Sequence, residues 1–303
     1  MEYKSLYRMM QAFPDEESCI AHIEKLRWPK GIICPLCGSS RQIYRVSRDK
    51  GYKCSDCRKL FSVRKGTIFE ESRLPLRKWF AASWLITSSR KGISSCQLAR
   101  EIGVTQKTAW FMLGRLREVA AAMGATGGPI GGTVETDETY LGGKEKNKHR
   151  NKRLHAGRGT VGKQAVIGAC ERGGKVRAQR IADTTMRELH GFIKNNVAAG
   201  STLYTDDHKS YLGLDDYRHE SVNHSVGEYV RGQAHTNGIE SFWALLKRGY
   251  YGTFHFFTWK HLHRYLAEFE SRWNMSLVAG DCRMDSMLES AVGCRLTYER
   301  LIA

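Results

Sequence analysis

The stretch GTVETDETYLGG, residues 132 to 143, has the alternating pattern of a β-strand and carries three acids. Alternation divides the side chains between two faces, with Val134, Thr136 and Glu138 on one and Glu135, Asp137 and Thr139 on the other. Any one such acid is ordinarily a solvated surface carboxylate. Its significance depends on whether acids from other parts of the chain converge on the same strand.

Downstream of this strand the chain alternates between strand and helix patterns. The predicted elements are strands QAVIGACE (164–171) and KVRAQRIA (175–182), the Thr-capped helix TTMRELHGFIKNNV (184–197), the strand STLYTDD (201–207) and a candidate further strand ESVNHS (220–225). The strand STLYTDD ends in two acids, Asp206 and Asp207. The interval between Asp137 and Asp206 therefore holds two strands and a helix.

A third acid lies on a predicted amphipathic helix within AHTNGIESFWALLKRGYYG, residues 234 to 252. Glu240 and Lys247 are seven residues apart and share one face, and Asn237 precedes Glu240 by one turn. The inward stripe is Ile239, Phe242 and Leu246. Strand, strand, strand, helix, strand and then an acid-bearing helix is the order of an RNase H-like fold. In that fold Asp137, Asp206 and Glu240 would come together.

Three converging carboxylates would repel one another without a cation, so the sequence predicts a metal site. Mg²⁺ or Mn²⁺ suits carboxylate oxygens, and two such ions about 4 Å apart serve phosphodiester hydrolysis and transfer. Two alternatives stay open. Asp207 could replace Asp206 if the strand register shifts, and Asn237 could contribute to the site or orient Glu240.

The N-terminal region contains two CxxC pairs, Cys34 with Cys37 and Cys54 with Cys57, separated by sixteen residues. This spacing is typical of a structural four-cysteine Zn²⁺ site. Three aromatic residues are expected to pack around the metal, namely Tyr44, Tyr52 and Phe61. A redox pair is disfavoured because no thioredoxin-like βαβ pattern surrounds either CxxC.

Residues 93 to 119, ISSCQLAREIGVTQKTAWFMLGRLREV, predict a helix-turn-helix in which Gly103 supplies the turn and Thr105 caps the second helix. The side chains expected to face outward, where DNA could lie, are Gln106, Lys107, Thr108 and Arg115. The alternative is a helical hairpin without a binding role.

The predicted fold class is therefore α+β and multidomain. We expect a zinc-ribbon domain (1–70), a helix-turn-helix domain (71–125), an RNase H-like α/β catalytic domain (130–275) and a C-terminal helical tail (276–303). A Gly-rich linker, GATGGPIGG, lies at residues 124 to 132.

The chain carries 48 Lys and Arg against 31 Asp and Glu, a net charge of +17. This charge favours a polyanionic partner, DNA above all, with an anionic membrane surface as the alternative. The run 144–158 holds seven Lys or Arg and one Glu and is expected to form a loop that contacts the DNA backbone. Neither a membrane span nor an apolar signal core is apparent, so we expect a cytoplasmic protein without membrane contact.

Three segments, VETDETYLGG, LYTDDHKSY and HTNGIESFWALLKRGYYGTFH, resemble those that hold the three acids of bacterial insertion-sequence transposases of the DDE type. The resemblance is to the ISXO-like family, the insertion-sequence fifteen-ninety-five group, and it covers nearly all of the chain. It implies cleavage of the element's DNA ends and strand transfer into target DNA. By motif position it assigns metal binding to Asp137, Asp206 and Glu240, and contact with DNA near the scissile phosphate to Lys247.

The family also implies a homo-oligomer on DNA, since two element ends must be joined together. Two other functions compete with a transposase. One is an RNase H-like nuclease that cuts without joining. The other is a zinc-ribbon and helix-turn-helix regulator with an inactive catalytic domain, which the three acids disfavour. Terminal inverted repeats flanking the gene would distinguish a transposase from a nuclease.

Overall fold

The computed structural model describes residues 5–47, 51–125, 127–143, 145–154, 159–222, 235–276 and 282–303. The helices are α1 (Leu6–Ala12), α2 (Glu16–Arg27), α3 (Leu76–Ser88), α4 (Ser95–Ile102), α5 (Gln106–Ala125), α6 (Met186–Asn196), α7 (Asn237–Gly249), α8 (Leu262–Met275), α9 (Cys282–Glu289) and α10 (Tyr298–Ile302). The strands are β1 (Ile43–Ser47), β2 (Gly51–Cys54), β3 (Leu60–Phe61), β4 (Thr133–Leu141), β5 (Gln164–Glu171), β6 (Val176–Arg180), β7 (Thr202–Asp206) and β8 (Arg218–Val222).

These elements form two compact units. The first consists of Met1–Met123 with Val278–Ala303, and the second of Gly124–Leu277. Along the chain, the second unit is thus inserted between two parts of the first. The sequence divides the chain into four segments, and the structure groups the first two with most of the last.

The first unit begins with the zinc-ribbon region, where β1, β2 and β3 form an antiparallel sheet in that order. Asp15 caps α2 because its carboxylate accepts the Ser18 N–H at 2.8 Å. Trp28, Tyr52 and Phe61 are buried and pack against one another. Tyr44 is 55% exposed, so the prediction that it packs around the metal is wrong.

The helix-turn-helix pattern corresponds to α4 and α5. Gly103 ends α4 in the left-handed region, and the Thr105 hydroxyl accepts the Thr108 N–H at 3.2 Å, as predicted. The inward side chains predicted from the sequence are buried in this unit, namely Leu98, Ala99, Ala109, Met112, Leu113 and Leu116.

The C-terminal residues complete the first unit. Leu301 and Leu296 lie against Gly114 of α5, where an added Cβ would be 3.0 Å and 3.6 Å from their methyl groups. The guanidinium of Arg115 is buried and donates hydrogen bonds to the backbone carbonyls of Leu296, Ile68 and Glu70.

The prediction that Arg115 faces DNA is therefore wrong. Its helix face is covered by the C-terminal segment, which lies 181 residues further along the chain.

The second unit is built on a five-stranded sheet in the order β6-β5-β4-β7-β8. β4, β5 and β6 are antiparallel neighbours, whereas β4, β7 and β8 are parallel. Helix α6 packs on one face of the sheet, and α7 and α8 pack on the other. This is the RNase H-like α/β arrangement predicted from the order of elements.

The parallel pairing of the central strands β4 and β7 stops just before the acids. The last paired positions of β4 and β7 are Glu135 and Tyr204. Asp137 and Asp206 each lie two residues further along their strand. β4 continues to Leu141 beside β5, whereas β7 ends at Asp206. A crevice therefore opens between β4 and the carboxyl end of β7, and open α/β sheets bind ligands at such strand ends.

Within the described residues, no helix combines the length and apolarity needed to cross a membrane.

Candidate catalytic site and zinc centre

The four predicted zinc ligands come together. The Sγ atoms of Cys34 and Cys57 are 3.7 Å apart, as are those of Cys37 and Cys54. All four sulfurs lie within 4.8 Å of one another. A tetrahedral ion with Zn–S bonds of about 2.3 Å requires sulfur separations of about 3.8 Å. The thiolates therefore fit Zn²⁺, and their number closes the tetrahedron without an open position.

A second cluster lies where the central strands β4 and β7 have stopped pairing. Carboxylate oxygens of Asp137, Glu138 and Asp206 all lie within 4.8 Å of one another. Glu138 is a member that the sequence interpretation missed, because a strict alternation sends it to the face opposite Asp137. No local pattern in the sequence indicates this contact, because adjacent residues of a strand point to opposite faces.

Three of the predicted acids share one cleft. Asp137, Asp206, Glu240 and Lys247 line a cavity of 420 Å³. Its remaining lining residues are Glu138, Thr139, Thr236, Trp243 and Ala244. The elements that deliver the acids are β4, β7 and α7, in the order predicted from the sequence.

Two alternatives from the sequence lie elsewhere. Asp207 is exposed and lies outside the cluster of Asp137, Glu138 and Asp206. Glu240 is also outside that cluster, although it lines the same cleft. Asn237 is exposed at the start of α7 and is not among the described residues that line the cleft. The Thr236 hydroxyl instead donates to Glu240 Oε1 at 3.0 Å. The support predicted from Asn237 thus comes from the residue before it.

Burial and neighbouring charges shift the pKa values of two acids in the cleft. Burial raises the pKa of Asp137 to about 6, and the charges of Asp206 and Glu240 contribute in the same direction. Burial also raises the pKa of Glu138 to about 7, opposed by the Tyr211 hydroxyl and reinforced by Asp206 and Asp137. A bound cation would stabilise the charged forms of crowded, partly desolvated carboxylates of this kind.

Trp243 fixes the position of Asp137. Its indole Nε1–H donates to Asp137 Oδ2 at 3.0 Å, and the ring is buried. Gly168 on β5 pairs with Asp137, and a Cβ there would lie 2.6 Å from the Trp243 ring. The glycine therefore lets the indole lie directly on the sheet. Trp243 is therefore a buried packing residue that also holds Asp137.

Glu135, two residues before Asp137, links the sheet to α7. Its Oε2 accepts the N–H of Gly238 at 2.6 Å and that of Ile239 at 3.1 Å. Its Oε1 lies 3.0 Å from Arg172 Nε and 3.2 Å from His235 Nδ1.

This buried carboxylate does for α7 what an N-cap side chain normally does, and it also meets the positive end of the helix dipole. The local N-cap residue, Thr236, makes no side-chain cap of its own. A Cβ on Gly238 would lie 2.8 Å from Glu135 Oε2, so glycine permits the close approach. Glu135 and Asp137 share β4, and Glu240 lies in the first turn of α7. The Glu135 contact therefore sets the position of Glu240 relative to Asp137.

The predicted DNA-facing residues of α5 differ in exposure. Gln106 and Lys107 are exposed and Thr108 is half-buried at the start of the helix. Gln106 Nε2 donates to Ser95 Oγ at 2.8 Å, and the Lys107 ammonium lies 5.3 Å from the centre of the Tyr298 ring.

The basic run 144–158 falls partly outside the described residues. Its described part, 145–154, is organised around Glu145, whose carboxylate accepts from Lys148 Nζ and from the Leu154 N–H. Arg153 donates to the carbonyls of Lys146 and Lys148.

Comparison with known proteins identifies both regions. The sequence profile of the ISXO2-like transposase domain matches residues 129–274, and that of a transposase zinc-ribbon domain matches residues 14–60. A protein of Halobacterium salinarum, described as an uncharacterized protein in transposable element ISH50, is 31% identical over 308 residues. The similarity covers 93% of this chain and 99% of that protein. The two domain matches and the similarity along nearly the whole chain lead to one conclusion: the chain belongs to the ISXO2-like family of transposases.

Proposed function

We propose that this transposase uses Asp137, Asp206 and Glu240, with Mg²⁺ or Mn²⁺, to cleave the ends of its element and to transfer them into target DNA. The observation that carries the proposal is the shared cleft, in which these three acids lie beside Lys247. The Halobacterium relative, which lies in a transposable element, supports the same activity.

Each step breaks one P–O bond of DNA and forms another at the same phosphorus. In cleavage a water oxygen attacks phosphorus and a DNA oxygen leaves. In joining, a hydroxyl oxygen of the cleaved end attacks the phosphorus of a target phosphodiester, and one target-strand oxygen leaves and takes up a proton. Divalent cations held by the carboxylates would activate the attacking oxygen and stabilise the leaving oxygen.

The remaining residues of the cleft position the reacting groups. Trp243 holds Asp137 through its indole N–H, and Thr236 holds Glu240 through its hydroxyl. Lys247, exposed at the cleft, would contact the phosphate as a point charge. Glu138 adds a fourth carboxylate beside Asp137 and Asp206 and is proposed as a further ligand.

DNA recognition would be divided among the modules. We propose that the zinc ribbon and the exposed start of α5, with Gln106, Lys107 and Thr108, recognise the terminal inverted repeats. The basic run 144–158 would add affinity for any DNA backbone. Because two element ends must be joined, we expect a homo-oligomer on DNA.

The experiment compares purified full-length variants on labelled DNA ends in Mg²⁺ or Mn²⁺. Glu240→Gln and Asp137→Asn should retain folding and DNA binding and lose cleavage and strand transfer by about 1,000-fold or more. The matched control is Asp207→Asn, which removes a neighbouring exposed carboxylate and should retain most activity. Near-normal cleavage by Glu240→Gln would refute the proposed ligand set. Cleavage without any joined product from the unaltered protein would identify a nuclease.

A further inference from the structure

The chain leaves α7 by an unusual route. Residues Tyr250–Phe254 form a π-helical turn, and His255 follows with a φ of 61°, in the left-handed region. π-Helical turns and left-handed non-glycine residues are both uncommon and occur preferentially at functional sites. Here they reorient a run of aromatic residues, YYGTFHFFTW, at the end of the helix that carries Glu240 and Lys247.

This turn lines a cavity of 880 Å³, distinct from the acid cleft. One side of it consists of aromatic residues, including Tyr251 and Phe256, which are 57% and 59% exposed. The other side includes Lys146 and Lys148 from the basic run. Large aromatic side chains left half-exposed around a cavity indicate a ligand with a flat apolar face. Lys148 is ion-paired with Glu145, so it is Lys146 that indicates an anionic ligand.

A nucleotide of DNA combines both properties. Its base offers a π-face on which aromatic side chains stack, and its phosphate attracts ammonium groups. Paired bases within a duplex keep their faces covered, so the cavity fits a base that has left the stack. Trp243 is buried and hydrogen-bonded to Asp137, so it is unsuited to stacking on such a base.

The cavity also lies on the elements that carry the acids. Gly143 lies six residues after Asp137 on the chain that continues β4, and Tyr251 lies eleven residues after Glu240. The helical rise places Tyr251 about 16 Å beyond Glu240 along the axis. Lys247, between them, lines the acid cleft. A DNA strand that contacts the acids and Lys247 and continues along α7 would reach the cavity within a few nucleotides.

We propose that this cavity binds an unstacked base of the DNA strand that the acid cleft cleaves. The inference rests on the proposed function for its place in the reaction. Tyr251 and Phe256 provide the stacking faces, and Lys146 contacts the adjoining backbone.

The test measures binding in Mg²⁺-free buffer, where cleavage does not intervene. The probes are a fluorescent oligothymidylate and an abasic oligomer with the same length and backbone charge. The unaltered protein should prefer the oligothymidylate by about 5- to 150-fold for one stacked base. The double variant Tyr251→Ala/Phe256→Ala should lose that preference and retain its affinity for the abasic oligomer.

Three further variants assign the contacts. Tyr251→Phe keeps the aromatic face and should retain the preference. Lys146→Ala should weaken both probes alike and lower the salt dependence of single-strand binding by about 0.7. Leu212→Ala, which truncates another exposed apolar side chain of the same unit, is the matched control and should change neither affinity.

Equal binding of the two probes by the unaltered protein, or a preference that survives in the double alanine variant, would overturn the proposal. If the double variant keeps the base preference but no longer self-associates on DNA, the aromatic residues contact a second copy of the chain, and the proposal is likewise overturned. Failure of the proposed function is scored separately by cleavage. If Glu240→Gln cleaves normally and the base preference persists, the cavity assignment stands and the catalytic assignment does not.

Discussion

The zinc centre and the acid cluster of this protein are assembled in opposite ways. The four cysteines of the zinc centre come from two CxxC pairs within 24 residues, and local turns bring each pair together. The acids come from two strands and a helix spread over about 100 residues, and only the folded sheet brings them together. Where thiolates must bind a metal before their region is stable, folding depends on that metal. Carboxylates that an already folded core brings together repel one another and lower its stability until a cation neutralises their charge.

The largest expected effect is at the zinc centre. Replacing Cys34 and Cys57 with Ser should release the zinc and unfold the first 70 or so residues, because structural zinc contributes about 10–16 kcal/mol to folding. The second unit, with its own core, should stay folded. Zinc content and residue-level hydrogen exchange of the full chain would measure both effects. One equivalent of zinc retained by the double variant would contradict the four-cysteine assignment.

The next effect concerns two glutamates on β4. Glu135→Gln should destabilise the second unit by about 3–5 kcal/mol, because it removes the buried charged acceptor of Arg172 and of two N–H groups at the start of α7. Its matched control, Glu138→Gln, removes a carboxylate from the acid cluster and should leave stability unchanged or raised in Mg²⁺-free buffer. Urea unfolding followed by hydrogen exchange in α7 would compare the two variants.

A double variant tests whether Glu135 acts through Arg172. Adding Arg172→Gln to Glu135→Gln should cost less than the sum of the single changes. Equal destabilisation by Glu135→Gln and Glu138→Gln would show that the two carboxylates do not differ as proposed.

A smaller effect is expected on the pH dependence of stability. The pKa of Asp137 is raised from 3.8 to about 6 and that of Glu138 from 4.5 to about 7, so the folded state binds more protons than the unfolded state between about pH 4 and 7. The stability that these protonated groups contribute is complete below the unfolded pKa values and is lost as the pH rises through the folded ones.

In Mg²⁺-free buffer, stability should therefore fall across this window more steeply for the unaltered protein than for Asp137→Asn. Scanning calorimetry at a series of pH values would measure the difference. Addition of Mg²⁺ should raise the melting temperature more at about pH 7 than at about pH 4, since the ions bind the ionised form. Identical pH profiles for the two proteins would indicate that Asp137 is not held in a charge-crowded site.

The smallest effect distinguishes two neighbouring residues at the start of α7. Thr236→Val removes the hydroxyl that contacts Glu240 and should lower the cleavage rate by about 2- to 10-fold, the value of one ordinary hydrogen bond. Asn237→Ala should have a smaller effect, because Asn237 is exposed outside the cleft. Cleavage rates at saturating DNA would separate them. A larger loss in Asn237→Ala would restore that residue as the support of Glu240.

The sequence by itself determined the features that depend on short spacing. The CxxC pairs identified the zinc ligands because two residues between cysteines fit one turn around a metal. Alternation and helical periodicity gave the strands, the helices and the order of an RNase H-like fold. The same periodicity placed Glu240 and Lys247 on one face of α7, and both line the cleft.

Only the tertiary structure decided what lies across from each side chain. Arg115 has the spacing of a solvent-facing residue, but a segment 181 residues away covers it. Glu135 and Glu138 are both acids of one strand, yet one caps a helix and the other joins the acid cluster. Periodicity assigns a side chain to a face, whereas its charge environment depends on the element packed there. Contacts between distant segments form only when the core brings them together, so no local pattern records them.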